Sequence, residues 1–129
     1  MRKTPKPKDS TSWRDSYYHK LFGLKAAKEA ERVLPIFEKE CPNDTRPRLA
    51  IEAIKAWAED KRVLGMKEVR KLSLDSHEAA RKATSDDATF AARAAGHAVA
   101  TWHVPTHALG ASRYAQKALC ANKHKPSKK

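Results

Sequence analysis

Three of the six histidines in the chain fall within one alanine-rich stretch near the carboxyl end. The stretch runs over residues 88–121, and its histidines are His97, His103 and His107. Alanine and glycine allow helix backbones to approach closely, so an imidazole ring placed among them must find a polar partner or a water molecule. The sequence therefore predicts a tightly packed helical core that contains a seam of polar side chains. We expect His97 or His103 to be largely buried and hydrogen-bonded.

The spacing of His103 and His107 is compatible with a metal site only if a helix continues through Pro105. Both rings would then share one helix face, and His77, His97 or a carboxylate could supply a third ligand. A single His-x3-His pair without an HExxH or CxxC motif is a weak indication of a metal. The sequence therefore predicts no metal and no other cofactor. Hydrogen-bonded core histidines and histidines that contact a partner remain as the alternatives.

A second group of candidate residues surrounds Pro47, at the beginning of a predicted helix. Arg46 and Arg48 can contact an anion or a protein partner. They can also pair within the chain, Arg46 with Asp44 and Arg48 with Glu52, which lies one helical turn further on. The sequence leaves both interpretations open.

No arrangement typical of an active site is present in the sequence. Cys41 and Cys120 have no histidine near them in the chain apart from His124, and the four glycines are scattered rather than gathered in a phosphate-binding loop. The chain is therefore predicted not to be an enzyme, with no catalytic residues. The two cysteines are sufficient in number for a disulfide, but reduced thiols of a cytoplasmic protein are the expected state.

The net charge of +12 is concentrated at the two ends of the chain. Residues 1–12 and 122–129 are rich in charge and proline and poor in apolar side chains, so we expect both to be disordered tails that are dispensable for folding. They hold eight of the 27 basic residues and one of the 15 acidic residues, which leaves the body at about +5. Such tails can bind nucleic acid weakly and without sequence preference. A nucleic-acid-associated helical protein is therefore an alternative function.

Membrane insertion and secretion are not expected. The chain has no run of 18 apolar residues, and no apolar segment follows its basic amino end. We therefore expect a cytoplasmic protein that does not bind membranes.

The spacing of apolar residues predicts an all-α fold, a single compact bundle of about five helices over residues 13–121. The expected long helices cover residues 24–40, 46–60, 66–83, 86–103 and 105–121. Gly23 is a candidate end for a short helix that precedes them. Pro35 is expected to kink the first long helix. Pro105 is expected to end or sharply kink the fourth, because Val104 before it is disfavoured in the α conformation.

Apolar residues at three- and four-residue spacing mark the faces that we expect to be buried. In the first long helix they are Ala26, Ala27, Ala30, Val33, Leu34 and Phe37, and in the second they are Leu49, Ala50, Ala53, Ile54 and Trp57. The first core contacts are expected from Trp13, Tyr17, Tyr18, Leu21 and Phe22. The small residues of the fourth helix suggest a further alternative, an assembly module that forms a homodimer through that face.

Two stretches of the chain resemble one known family. They are DTRPRLAIEAIKAWAED at residues 44–60 and AARAAGHAVATWHVPTHALGASRYAQKAL at residues 91–119, and ERVLPIFEKECPND at residues 31–44 fits the same pattern. Over residues 20–121 the chain is similar to the immunity proteins of bacterial polymorphic toxin systems, which are small all-α proteins. The Arg-Pro-Arg turn, the helix that ends in Ala-Trp and the His-Val-Pro-Thr-His-Ala run occur in the family's order.

The resemblance implies a binding function without catalysis, the neutralisation of a cognate toxin. The family pattern corresponds here to Asp44, Arg46, Pro47, Arg48, Glu52, Trp57, Arg93, His97, His103 and His107. An inhibitor of a nuclease toxin is expected to present an acidic surface. A body near +5 does not do so, which argues against a nuclease as the target.

Overall fold

Five α-helices account for most of residues 16–125, the part of the chain that the computed structural model describes. They are α1 (Tyr17–Glu40), α2 (Arg46–Ala58), α3 (Met66–Lys82), α4 (Asp86–Ala100) and α5 (His107–Lys123). No strand occurs among residues 16–125, so the prediction of an all-α bundle of about five helices is confirmed. The predicted amino-terminal tail, Trp13 and the last four residues of the predicted carboxyl-terminal tail lie outside the described residues.

Helix α4 lies at the centre of the bundle and packs against all four other helices. Its buried residues are mostly small: Ala88, Ala91, Ala92, Ala94, Ala95, Gly96 and Ala98. Because these residues already face other helices of the same chain, the small-residue face of α4 cannot form the homodimer contact that the sequence suggested. No helix within residues 16–125 combines the length and the apolar character needed to cross a membrane.

All of the apolar residues predicted to form the buried face of α1 are buried. In α2, one of the predicted residues is not. Leu49 is 48% exposed. The buried positions in the first turns of α2 belong instead to Pro47, Ala50 and Ile51. These three are spaced three and four residues apart and share a face with Ile54, and Leu49 falls outside that face.

Helix α1 begins earlier than expected and is not divided at Gly23. The Trp57 ring packs against this glycine so closely that a Cβ atom there would lie 3.0 Å from the ring. The sequence predicted that the large apolar residues at the start of this helix would make the first core contacts. This prediction is wrong for those that the structure describes. His19 and Gly23 occupy the buried positions of this turn, and exposed side chains flank them: Tyr17, Tyr18, Leu21 and Phe22.

The two prolines behave differently. Helix α1 continues through Pro35. In contrast, α4 ends at Ala100, before the expected residue 103, and α5 begins only at His107. The intervening chain forms tight turns, in which the N–H of Thr101 donates to the carbonyl of Ala98 at 3.2 Å. Pro105 therefore lies within a complete break between two helices, as its missing N–H and its effect on the preceding residue favour.

Two carboxylates hold the helix ends together. Glu40, the last residue of α1, accepts hydrogen bonds from the backbone N–H and the hydroxyl group of both Thr84 and Ser85, just before α4. Burial acts to raise the pKa of Glu40, but the hydrogen bonds from Ser85 and Thr84 together outweigh it, so the pKa is lowered. The Ser85 hydroxyl thus binds carboxylates rather than capping α4 through its side chain.

The second carboxylate, Asp87, is almost completely buried and anchors the end of α5. It accepts from the Asn122 amide at 2.9 Å, the Lys125 ammonium at 2.8 Å and the Ser85 hydroxyl at 2.6 Å. These contacts explain why α5 runs to Lys123, two residues past its expected end. Burial acts to raise the pKa of Asp87, but the hydrogen bonds hold it well below its usual range.

Replacing Asp87 with Asn is expected to lower the free energy of unfolding at neutral pH by about 2–4 kcal/mol, because the donors from Ser85, Asn122 and Lys125 lose a buried charged acceptor. The exposed neighbour offers a matched control, and Asp86→Asn should change stability by less than about 0.5 kcal/mol. Urea unfolding measures both.

The pH dependence gives a second check on this carboxylate. A folded-state pKa below the unfolded value stabilises the protein above about pH 4, and this contribution is lost as the pH falls further. The stability difference between the unmodified protein and Asp87→Asn should therefore narrow below about pH 4. A difference that stays constant into acid would contradict the role assigned to the Asp87 charge.

Candidate functional site

Three histidines and one arginine come together where α3 and α5 pack against α4. His77 lies on α3, Arg93 and His97 lie on α4, and His107 is the first residue of α5. We call these four residues the histidine cluster. The ring centroids of His77 and His97 are 5.4 Å apart, as are those of His97 and His107. All four side chains are partly buried, so the cluster lies at the surface of the bundle rather than in its centre.

Hydrogen bonds fix the protonation of the first ring. An Arg93 guanidinium N–H donates to His77 Nδ1 at 2.9 Å. Because a guanidinium group only donates, Nδ1 is the acceptor and His77 is a neutral ring with its proton on Nε2. The Nδ1 atoms of His97 and His107 are 3.4 Å apart, a long hydrogen bond in which one ring donates. The His97 ring also stacks on Tyr114, with centroids 5.2 Å apart.

Two glycines make room for the rings. A Cβ atom at Gly96 would lie 2.7 Å from His77 Nε2, and one at Gly110 would lie 2.5 Å from His97 Nδ1. Any larger residue would displace the ring that crosses its helix. The scattered glycines of the sequence therefore include two that the cluster requires.

Burial is the main cause of lowered pKa values at all three histidines. It lowers the pKa of His77 to about 4, with Arg93 and His97 adding to the effect. Burial and then His107 and Arg93 lower the pKa of His97, while burial and His103 lower that of His107. At pH 7 the rings are therefore neutral, and Arg93 is the charged member of the cluster.

The arrangement does not support a metal site. Among residues 16–125, no group of three or more histidine, cysteine, aspartate or glutamate side chains is placed to hold a metal ion. His103 and His107 do not share a helix face, because α4 ends before Pro105. Cys41 and Cys120 are free thiols, so the disulfide alternative is not realised.

A shallow groove continues from the cluster along α3 and α4. Ser73 links the two features, since its hydroxyl donates to the Gly96 carbonyl at 3.0 Å. The groove is lined by Met66, Val69, Arg70, Ser73, Leu74, Ala100 and the exposed His103. We call the groove and the histidine cluster together the α3–α4 face.

The candidate residues around Pro47 pair within the chain. Arg46 donates to the Asp44 carboxylate at 2.9 and 2.7 Å, as one sequence interpretation predicted. This hydrogen bonding is the main cause of the lowered pKa of Asp44.

Arg48 has a different main partner from the one that its sequence position suggested. It donates twice to Glu38 on α1, at 2.7 and 2.6 Å, and its distance to Glu52 is 3.7 Å. Glu38 is ten residues away in the chain, so helical spacing could not identify it. Both arginines of this group are thus already bound to carboxylates.

Trp57 lies in the core, as expected, next to the most deeply buried histidine. That residue is His19, whose Nε2 donates to the Thr101 carbonyl at 2.6 Å. The expectation that His97 or His103 would be buried and hydrogen-bonded is met by His97, which is mostly covered and bonded to His107, whereas His103 is exposed. The sequence analysis did not identify His19. The position of His19 four residues before Gly23, on the face that continues as Ala26 and Ala27, was the available indication.

Comparison with known proteins identifies a family to which the chain belongs. A family model described as Imm-5 like putative immunity protein matches residues 18–129, which is most of the chain. The protein therefore belongs to this family, as the sequence resemblance suggested. No curated protein and no solved structure gives a significant match.

The contact between Gly110 and His97 predicts that Gly110→Ala changes the stability of the protein in opposite directions depending on whether the His97 ring is present. Gly110→Ala should destabilise the unmodified protein by about 1–3 kcal/mol, because the methyl group displaces a ring held between other rings. In a His97→Ala background the same change should stabilise by about 0.5–1 kcal/mol, since alanine favours helix. Urea unfolding of the four proteins completes the cycle. An effect of equal sign in both backgrounds would show that the ring does not require this glycine.

The lowered histidine pKa values predict a loss of stability in mild acid. His77 is neutral in the fold, so its contribution is complete above the unfolded pKa of about 6.5 and decreases as the pH falls toward the folded value. His77→Asn keeps an acceptor for Arg93 but does not titrate. Between about pH 7 and pH 5 the unmodified protein should lose about 1–2 kcal/mol more than this variant.

The exposed His124 provides the control for that experiment. His124→Asn should retain the pH dependence of the unmodified protein. Parallel pH profiles for the unmodified protein and His77→Asn would contradict the assignment.

Proposed function

We propose that this protein neutralises a cognate bacterial toxin by binding it in the cytoplasm, without catalysing a reaction. The observation that carries the proposal is membership of the immunity family over residues 18–129. The fold is compatible with this role, because a rigid helical bundle can present a preformed surface to a partner.

We infer that the α3–α4 face is the contact surface. Of the residues that the family pattern indicated, the charged ones around α2 are bound in ion pairs, namely Asp44, Arg46, Arg48 and Glu52, and both Pro47 and Trp57 are buried. The others are on or beside this face: Arg93, His97, His103 and His107. Leu74, with 59% of its surface exposed, adds an apolar side chain to them. Arginine and aromatic rings beside an apolar groove resemble the centre of a typical protein interface.

The proposal is tested by capture followed by neutralisation. The tagged full-length chain is used as bait in a lysate of the bacterium that produces it, and the captured protein is identified. That protein is then expressed from an inducible promoter in a laboratory strain, with and without the chain. We expect growth arrest that co-expression of the chain relieves. A captured protein that is harmless, or whose toxicity the chain does not change, would contradict neutralisation.

The surface assignment predicts different effects for two exposed leucines. Leu74→Ala should weaken toxin binding about 10- to 100-fold, as the loss of a central apolar contact does. Leu49→Ala removes a comparable exposed side chain from α2 and should leave the affinity within about twofold. Titration calorimetry with the purified toxin measures both. Equal losses, or a loss only for Leu49→Ala, would place the interface elsewhere.

A further inference from the structure

We propose that the α3–α4 face recognises an acidic segment of a protein partner, whose carboxylates bind Arg70 and Arg93 and whose apolar side chain packs against the exposed Leu74 between them. The proposal rests on the proposed function only for the identity of that partner. The chemistry of the partner follows from charges and contacts of the described residues.

The pairing of the arginines separates this face from the rest of the surface. Residues 16–125 contain eight arginines, and five of them form ion pairs with carboxylates: Arg32, Arg46, Arg48, Arg62 and Arg81. Within the same residues, Arg70, Arg93 and Arg113 have no carboxylate partner. Arg70 and Arg93 both lie on the α3–α4 face. This face therefore holds guanidinium groups whose charge is not compensated by a carboxylate among residues 16–125.

A single hydrogen bond orients the Arg93 side chain and leaves other N–H donors of its guanidinium group available. It donates one hydrogen bond to the neutral ring of His77, which fixes its direction without cancelling its charge. A guanidinium group has five N–H donors, so others remain for a carboxylate in a two-bond geometry. Its partly buried position also strengthens an ionic contact relative to one in open water. These features suit a carboxylate that arrives from outside.

The positions of the two arginines suggest the shape of the segment. Arg70 precedes His77 by seven residues on α3, and His77 holds Arg93, so the two charged sites are separated by about 10 Å along the helix. An extended chain spans this distance in about three residues, and a helix in about two turns. Leu74 lies between the two sites on α3, four residues after Arg70 and three before His77, and it lines the groove. A segment with two acidic residues and an apolar residue between them would match all three features.

The apolar groove favours a protein over a nucleic acid. Non-specific binding to nucleic acid depends on the number of phosphates that lysine and arginine neutralise. Such binding makes no use of Leu74, Val69 and Met66, which line the groove beside Arg70. A protein segment can satisfy the guanidinium groups and the groove together.

The experiment uses the full-length chain and a synthetic peptide, acetyl-Glu-Leu-Glu-Glu-Leu-Glu-amide, followed by NMR. We expect saturable shifts at the backbone amides of Arg70, Ser73, Gly96 and Ala100. Arg70→Gln and Arg93→Gln should each weaken peptide binding about tenfold, the effect of losing a charged hydrogen bond. Arg93→Lys keeps the positive charge but cannot donate two parallel hydrogen bonds to one carboxylate, so it should also weaken peptide binding.

Controls separate recognition from simple attraction between charges. Arg32→Gln removes one positive charge from α1, which packs against α2, α4 and α5, and should leave affinity within about twofold. Thermal unfolding of each variant shows whether it remains folded. Equal weakening by Arg32→Gln, or peptide shifts outside the α3–α4 face, would overturn the proposal. A single-stranded oligothymidylate of equal charge that shifts the same amides as strongly would identify a nucleic acid site instead.

Failure of this inference can be distinguished from failure of the proposed function. An Arg70→Gln, Arg93→Gln double variant that neutralises the toxin as well as the unmodified protein would refute the acidic-segment proposal alone. Specific peptide binding by a chain that neutralises no toxin would refute the immunity function alone.

Discussion

The close approach of α4 to its four neighbours is the constraint on which the rest of this structure depends. Small side chains along α4 allow that approach, but alanine offers little shape with which to fix one helix against another. The large residues of the core come mainly from α1 and α2, where Phe37, Ile51, Ile54 and Trp57 are buried. Close helices therefore need additional contacts that define their register.

Polar contacts supply that definition at two levels of the bundle. At one end, Asp87 joins the beginning of α4 to the end of α5, and Glu40 joins the end of α1 to the turn before α4. In the last turn of α4, the rings of His77 and His107 meet the ring of His97 from α3 and α5. Because buried polar groups are costly when unpaired, such contacts favour one arrangement of the helices over close alternatives. Gly96 and Gly110 then become structural requirements of the rings.

Features that depend on the spacing of nearby residues could be predicted from the sequence. They are the buried face of α1, the helix start at Pro47, the Arg46–Asp44 pair and the break near Pro105. Contacts between distant residues were not predictable in this way. Glu38 as the partner of Arg48, and His77 as the partner of Arg93, depend on how the helices pack. Leu49 was misplaced because two faces of α2 carry apolar residues and only packing selects between them.

The distribution of paired charges bears on the kind of target. A protein that blocks a nucleic-acid-binding cleft is expected to present carboxylates. Here the carboxylates near the family's indicated residues are occupied, Asp44 by Arg46 and Glu38 by Arg48. The α3–α4 face instead offers Arg70 and Arg93 beside neutral rings. Under the proposed function, complementarity would place the acidic residues on the partner, at a surface apart from any cleft that binds phosphates. The proposed neutralisation would then work by covering such a surface rather than by imitating a substrate.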